Sequence, residues 1–321
     1  GIFRALRTIP VLKDFTDDMA EVCPNAYFLN YTNPMAQLAG YLGRYTPIKS
    51  VGLCHSVQGC SRNLLKDLGI EYKEPLRESI AGINHMGWLL ELEDADGNDL
   101  YPEIRERAIA ILESGKTDHH DLVRYEYIRR LGYYCTESSE HNAEYNNFFI
   151  KAKYPELIER YNIPLDEYPR RCINQIENWK KDREKYMHDD VTHTRTTEYA
   201  SYIMEAIVTD IPYKIGGNVI NNGLIPNLPA EACVEVACLV NKNGIQPCAQ
   251  KPLPLQLAAM NSAMIGVQLL TIEAAVTQKK ETIYQAAMLD PHTSSELSID
   301  EIIRLCDDLI EAHGSYLPKY H

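Results

Sequence analysis

Residues 26–69 constrain this chain most, because their hydrophobic period switches repeatedly at short, regular distances. "AYFLNYTNP" (26–34) alternates and ends in turn residues, the pattern of a strand running into a loop. "MAQLAGYLGRYT" (35–46) has the apolar spacing of a short helix. "IKSVGLCHS" (48–56) reads as a second apolar strand, and "VQGCSRNLLKDLG" (57–69) as a helix stopped by Gly69. Strand, helix, strand, helix with such short connections predicts a parallel βαβ unit. Ligands of such sheets gather outside the carboxyl ends of the strands, here residues 30–33 and 54–56.

The flanking sequence extends this frame. Ile2, Leu6, Ile9, Leu12, Phe15 and Met19 recur at helical spacings. The chain enters that helix with neither an initiator methionine nor a targeting segment, so a fragment is expected. Downstream, "GWLLELEDADGNDLYP" predicts an antiparallel hairpin turning at Asp96-Gly97. Residues 103–131 and 155–210 read as charged helices, 216–247 as short strands divided by Asn-Gly turns, and 253–313 as helix again. Residues 1–80 are therefore expected to form part of an open parallel sheet, and 81–321 a mixed α+β domain.

Bulk properties exclude several classes. A net charge of −13 gives no basic face for nucleic acid. Apolar runs such as "CVEVACLV" are too short to span a bilayer. Nine cysteines at irregular spacing, with no CxxC pair, read as free thiols of a reducing cytosol.

Few residues carry an obvious chemistry. Asn30 and Asn33 stand at a strand end, either as an Asx-turn or as ligand contacts. Cys54 is either a small buried hydrophobe or a metal ligand; His55, on a strand, would face the opposite way. His85 in "GINHMGW" supplies a nitrogen donor that could meet Cys54 where the two domains join, although a separation of 31 residues matches no local metal motif. In "TESSEHNAEYNNFF" (136–149), Glu137, Glu140 and Glu144 have the spacing of a solvated helix face. Tyr145 could act as a base only beside a cation that lowers its proton affinity. "HDDVTHTR" (188–195) reads as a polar loop before a metal site, and His292 in "DPHT" as structural.

Taken together, "FLNYTNPMAQLA", "IKSVGLCHSVQG" and "AGINHMGWLLELE" resemble glycoside hydrolase family 4, and within it the α-galactosidase branch. The likeness continues through "GIFRALRTIP", "LGYYCTESSEHNAEY", "IPLDEYPRRC", "NLPAEACVEVACLVNKNGIQP" and "AAMLDPHT", so it covers essentially the whole chain. The resemblance implies an α/β fold: the second half of a Rossmann-like parallel sheet in residues 1–80, then the family's mixed α+β C-terminal domain in 81–321. It also implies a cytoplasmic homo-oligomer that hydrolyses small α-galactosides with NAD and Mn2+, without nucleic-acid or membrane partners. The course implied is oxidation at sugar C3, elimination across C2 and C1, water addition and re-reduction.

Carried over by motif, Cys54 and His85 would be metal ligands and Asn33 would bind sugar hydroxyls. His55 would contact substrate or assist the leaving group, and Tyr145 would be the C2 base, with Glu140 and Glu144 as alternatives. Cofactor-binding residues stay unassigned, because the glycine-rich dinucleotide turn of the family occurs nowhere in the sequence. Such a fragment is expected to hold NAD poorly and to be inactive alone. An α-glucosidase, or an α-galacturonidase or glucuronidase, remains the alternative, with Arg62 or Arg124 as the cation a uronate would need. A 2-hydroxy acid dehydrogenase-like fragment and a non-catalytic truncated product that acts as an assembly partner are the readings from other classes.

Overall fold

The computed structural model describes residues 1–189 and 194–321. Among the described residues eight strands form one sheet: β1 (Tyr27–Asn30), β2 (Lys49–Gly52), β3 (Arg77–Ile83), β4 (Met86–Glu93), β5 (Tyr134–Cys135), β6 (Tyr213–Ile220), β7 (Cys233–Asn241) and β8 (Gly244–Pro247). Their order is β1-β2-β6-β7-β3-β4-β5, with β8 paired to the outside of this path on β7. β1 and β2 are parallel, joined through the helix Met35–Tyr45, as the hydrophobic pattern predicts. β2 then meets β6 antiparallel at Gly52 and Asn218, so the parallel unit runs directly into an antiparallel sheet. Residues before and after position 80 share one ladder.

Two local expectations are corrected. The helix read over 57–69 is two helices, His55–Gln58 and Cys60–Leu68, interrupted at Gly59; Gly69, at φ 64°, closes the second. The hairpin of β4 turns at Asn84-His85, with Ile83 opposite Met86, because residues 77–83 form the partner strand. The 94–98 turn is closed by the Asp94 carboxylate, which accepts from the Asp96 and Asn98 backbone N–H groups and the Asn98 amide; only one bridge, Glu93 to Asp99, follows it.

The helix Leu255–Thr277 is long and apolar enough, by length and composition, to cross a membrane. Half of its most apolar stretch is buried inside the fold. It packs against the helices Ile2–Val22, Met35–Tyr45 and Lys280–Leu289. Its Asn261, fully buried, accepts from Trp88 Nε1 at 2.7 Å and donates to the Met86 carbonyl at 3.0 Å. Those bonds tie β4 to a core helix, a use of polarity that hydrocarbon would penalise. By contrast, the 22-residue helix Glu167–His188 has no buried residue.

Candidate metal-binding active site

The candidate site lies where β1 and β2 end, above the β3–β4 turn. Cys54 follows β2 and precedes the short helix that begins at His55. His85 occupies the turn at φ 65°, and Glu137 follows β5 at φ 68°. Left-handed backbone costs a non-glycine residue about 1–2 kcal/mol. Two of the three convergent donors thus sit on strained backbone, as often happens at functional sites. The Asn142 amide holds the Glu137 turn by donating to the carbonyls of Thr136, Glu137 and Ser138.

Cys54, His85 and Glu137 each bring a donor atom within 4.8 Å of the others. Sequence spacing makes Cys54 and His85 a conditional pair and Glu137 part of a solvated face; the structure brings all three together. The third donor had no local signature, since Glu137 is one of several acids in a short segment. His85 Nε2 stands 3.1 Å from Glu137 Oε2, and Nδ1 stands 2.9 Å from Tyr145 Oη. The His85 ring stacks on His141 at 5.4 Å and on Tyr145 at 5.8 Å.

Burial dominates the proton affinities of His85, Cys54 and Tyr145. It lowers that of His85, against the opposing pull of the Glu137 carboxylate, which favours the neutral imidazole a cation requires. It pushes the Cys54 thiol up to about 11, with the Glu235 charge adding and hydrogen bonds from Ser56 and Asn84 opposing. Tyr145 is raised by burial and then by Glu137, Glu144 and Cys54. His141 is raised chiefly by its hydrogen bond with Glu144, 3.3 Å away. The thiol, imidazole and carboxylate set fits a divalent cation: all three are protein ligands of such ions, and the carboxylate adds a hard donor that manganese accepts.

A cleft of about 940 Å³ opens beside this cluster, lined by Asn33, His85, His141 and Tyr145 among others. That volume accommodates a disaccharide-sized ligand. Glu140 and Glu144 also line it. His55 Nε2 pairs with Glu198 at 2.8 Å and its ring stacks on Tyr31 of the cleft wall; like Cys54 and Glu137, His55 does not itself line the cleft. Arg62 pairs with Glu74, and Arg124 is bound to Asp121, so both guanidiniums are already engaged. The guanidiniums on the cleft are those of Arg4 and Arg171, which sequence reading missed because each sits in an ordinary helical pattern. Of "HDDVTHTR", residues 190–193 lie outside the described residues; His188 ends a helix, 3.6 Å from Glu184.

The chain matches the description "Family 4 glycosyl hydrolase" over residues 1–70 and "Family 4 glycosyl hydrolase C-terminal domain" over 80–293. An alpha-galactosidase of Bacillus subtilis (strain 168) is 60% identical over 321 residues, covering 100% of this chain and 73% of that protein. An alpha-galactosidase of Rhizobium meliloti (strain 1021) is 31% identical over 334 residues, covering 100% of this chain and 66% of that protein. A 6-phospho-alpha-glucosidase from gut microorganisms, solved in complex with NAD and Mn2+, superimposes with a TM-score of 0.81 at 21% identity, covering 100% of this chain and 74% of that one.

Proposed function

This chain belongs to the family 4 glycosyl hydrolases, and on that premise we propose that it is an α-galactosidase that works on small α-galactosides with Mn2+ and NAD. The observation that carries the reading is the convergence of Cys54, His85 and Glu137 within 4.8 Å beside a sugar-sized cleft. NAD-dependent family 4 enzymes depart from the two-carboxylate pattern of most glycosidases, and a cation-binding donor set is what such chemistry needs. When bound, Mn2+ supplies Lewis acidity toward sugar oxygens and NAD+ a reversible oxidation at C3 that acidifies the C2 proton.

Cys54, His85 and Glu137 would hold the cation. Asn33, at the cleft, binds sugar hydroxyls. Tyr145 takes the C2 proton: a neutral His85 that ligates through Nε2 carries its proton on Nδ1, and donation from Nδ1 to Tyr145 Oη favours the phenolate that burial otherwise opposes. His141, made more basic by Glu144, is the cleft group suited to protonate the leaving oxygen. His55, stacked behind Tyr31, backs the cleft wall beside Cys54. The nucleotide's phosphate contacts are not assigned to residues of this chain.

The reading extends to a cytoplasmic homo-oligomer. Nine free cysteines support a reducing compartment. The helix Glu167–His188 leaves Tyr168, Ile173, Ile176, Trp179, Tyr186 and Met187 all more than half exposed on one side. Side chains of this size offer roughly 600–700 Å² of apolar surface, close to the ~800 Å² each partner contributes to a stable interface.

Calorimetric titration with methyl α-galactoside tests the proposal. Binding should require Mn2+ and should outcompete galactose 6-phosphate and galacturonate. Tighter binding of the phosphosugar or the uronate overturns the α-galactosidase reading. Release of nitrophenol from an aryl α-galactoside with NAD+ and Mn2+ present reads turnover separately.

A further inference from the structure

One row of backbone positions crosses the sheet beneath the donor cluster. Asn30 stands opposite Gly52, Gly52 opposite Asn218, Asn218 opposite Glu235, Glu235 opposite Gly82, and Gly82 opposite Gly87. Cys54 lies two residues beyond Gly52, and His85 lies in the turn between Gly82 and Gly87. Both donors thus stand just past a common level, on strands that are not neighbours.

Glu235 sits between those strands, 1% exposed in the middle of the apolar run of β7. Among the described residues no lysine, arginine or histidine pairs with it. Its Oε1 accepts from Asn218 Nδ2 at 2.9 Å and, at a longer 3.5 Å, from Asn84 Nδ2, while Oε2 has no partner. A lone buried carboxylate is expensive, and an apolar residue would pack there without that cost. The neighbours are arranged to leave it room: a Cβ on Gly87 would come 3.2 Å from Oε2, and one on Gly52 would come 2.8 Å from the Asn218 Cβ.

The two amides lead to the two donors. Asn218 Nδ2 also donates to the Gly52 carbonyl at 3.3 Å, at the end of the strand that delivers Cys54. Asn84, which donates to Glu235 Oε1, immediately precedes His85 in the turn. We propose that Glu235 is a positioning residue of the Cys54–His85–Glu137 cluster, whose Oε1 joins the Asn218 and Asn84 amides and thereby sets the separation between the strand end that carries Cys54 and the turn that carries His85. The proposal rests on the metal reading above.

Co2+ titration of the 321-residue chain tests it, read by affinity and by the thiolate-to-cobalt charge-transfer absorption, with thermal melts as the folding control. Glu235→Met should weaken Co2+ binding about 10–100-fold, the usual effect of losing a group that orients a ligand. Glu235→Gln keeps an acceptor at Oε1 and should retain most of the affinity and the absorption band. Asn84→Ala should weaken binding similarly to Glu235→Met, and the double variant should lose little more than Asn84→Ala alone, because both remove one linkage. If Glu235→Met does not fold, Glu235→Gln and Asn84→Ala decide. Affinity unchanged in Asn84→Ala or Glu235→Met, a loss in Glu235→Gln as large as in Glu235→Met, or fully additive losses overturns the proposal. A parent chain that shows no thiolate band instead removes the metal reading, and this inference with it.

Discussion

His85 Nδ1 and Tyr145 Oη lie 2.9 Å apart, on the opposite edge of the imidazole from Glu137. One ring therefore turns Nε2 toward the Glu137 carboxylate, where a cation would be held, and Nδ1 toward a phenol. Tyr145→Phe should lower turnover by about 10²–10⁴-fold, the range for a lost general base, while weakening Mn2+ only modestly. Steady-state assays with saturating Mn2+ and NAD+, beside Mn2+ titrations, separate the two. Retained turnover would move the base to Glu140 or Glu144.

Cys54→Ala and His85→Ala each remove one of three donors. Each should raise the Mn2+ dissociation constant by at least about 10-fold, measured by electron paramagnetic resonance of free Mn2+. Unchanged affinity in either variant would exclude that residue as a ligand.

The Cys54 thiol, pushed up to about 11, is protonated at neutral pH, so a cation that takes it as thiolate releases that proton. Mn2+ affinity should then rise with pH by about tenfold per unit between pH 7 and 9. His85, lowered by burial, is already neutral there and adds no second proton. Titrations across this range that show a flat affinity would mean that the thiol is not displaced.

Glu235 makes the folded state itself pH-dependent. Burial raises its carboxyl from 4.5 to about 7, so between these values the folded chain binds more protons than the unfolded one. Stability contributed by the protonated acid is complete below about 4.5 and falls as pH rises through 7. Glu235→Gln, which does not titrate, should gain stability relative to the parent on going from pH 5 to pH 8. Urea melts at the two values check the sign.

Ile176 and Trp179 are 61% and 58% exposed on the unburied helix Glu167–His188. If that stripe is covered by a second copy, Ile176→Glu should shift the chain toward monomer in size-exclusion chromatography with light scattering. A parent chain that is already monomeric at high concentration would leave the stripe without that role.

The sequence by itself determined what short-range periodicity can encode. The β1–helix–β2 unit, the left-handed stop at Gly69, the helical tail and the family motifs around Asn33, Cys54 and His85 were all legible, because each depends on residues a few positions apart. Other features were decided only by the tertiary structure. The β3–β4 turn, which puts His85 at its apex, depends on pairing residues 77–83 with 86–93, and the Asp96-Gly97 turn signal competed with it. Glu137 became a donor because the strand order carries β5 to the edge beyond β4, and Asn142 then clamps the turn. Glu235 lies in an apolar strand with no local signature, and only antiparallel pairing sets it between Asn218 and Gly82. Long-range strand register has no local code, so residues 54, 85, 137 and 235 meet only once the sheet is assembled.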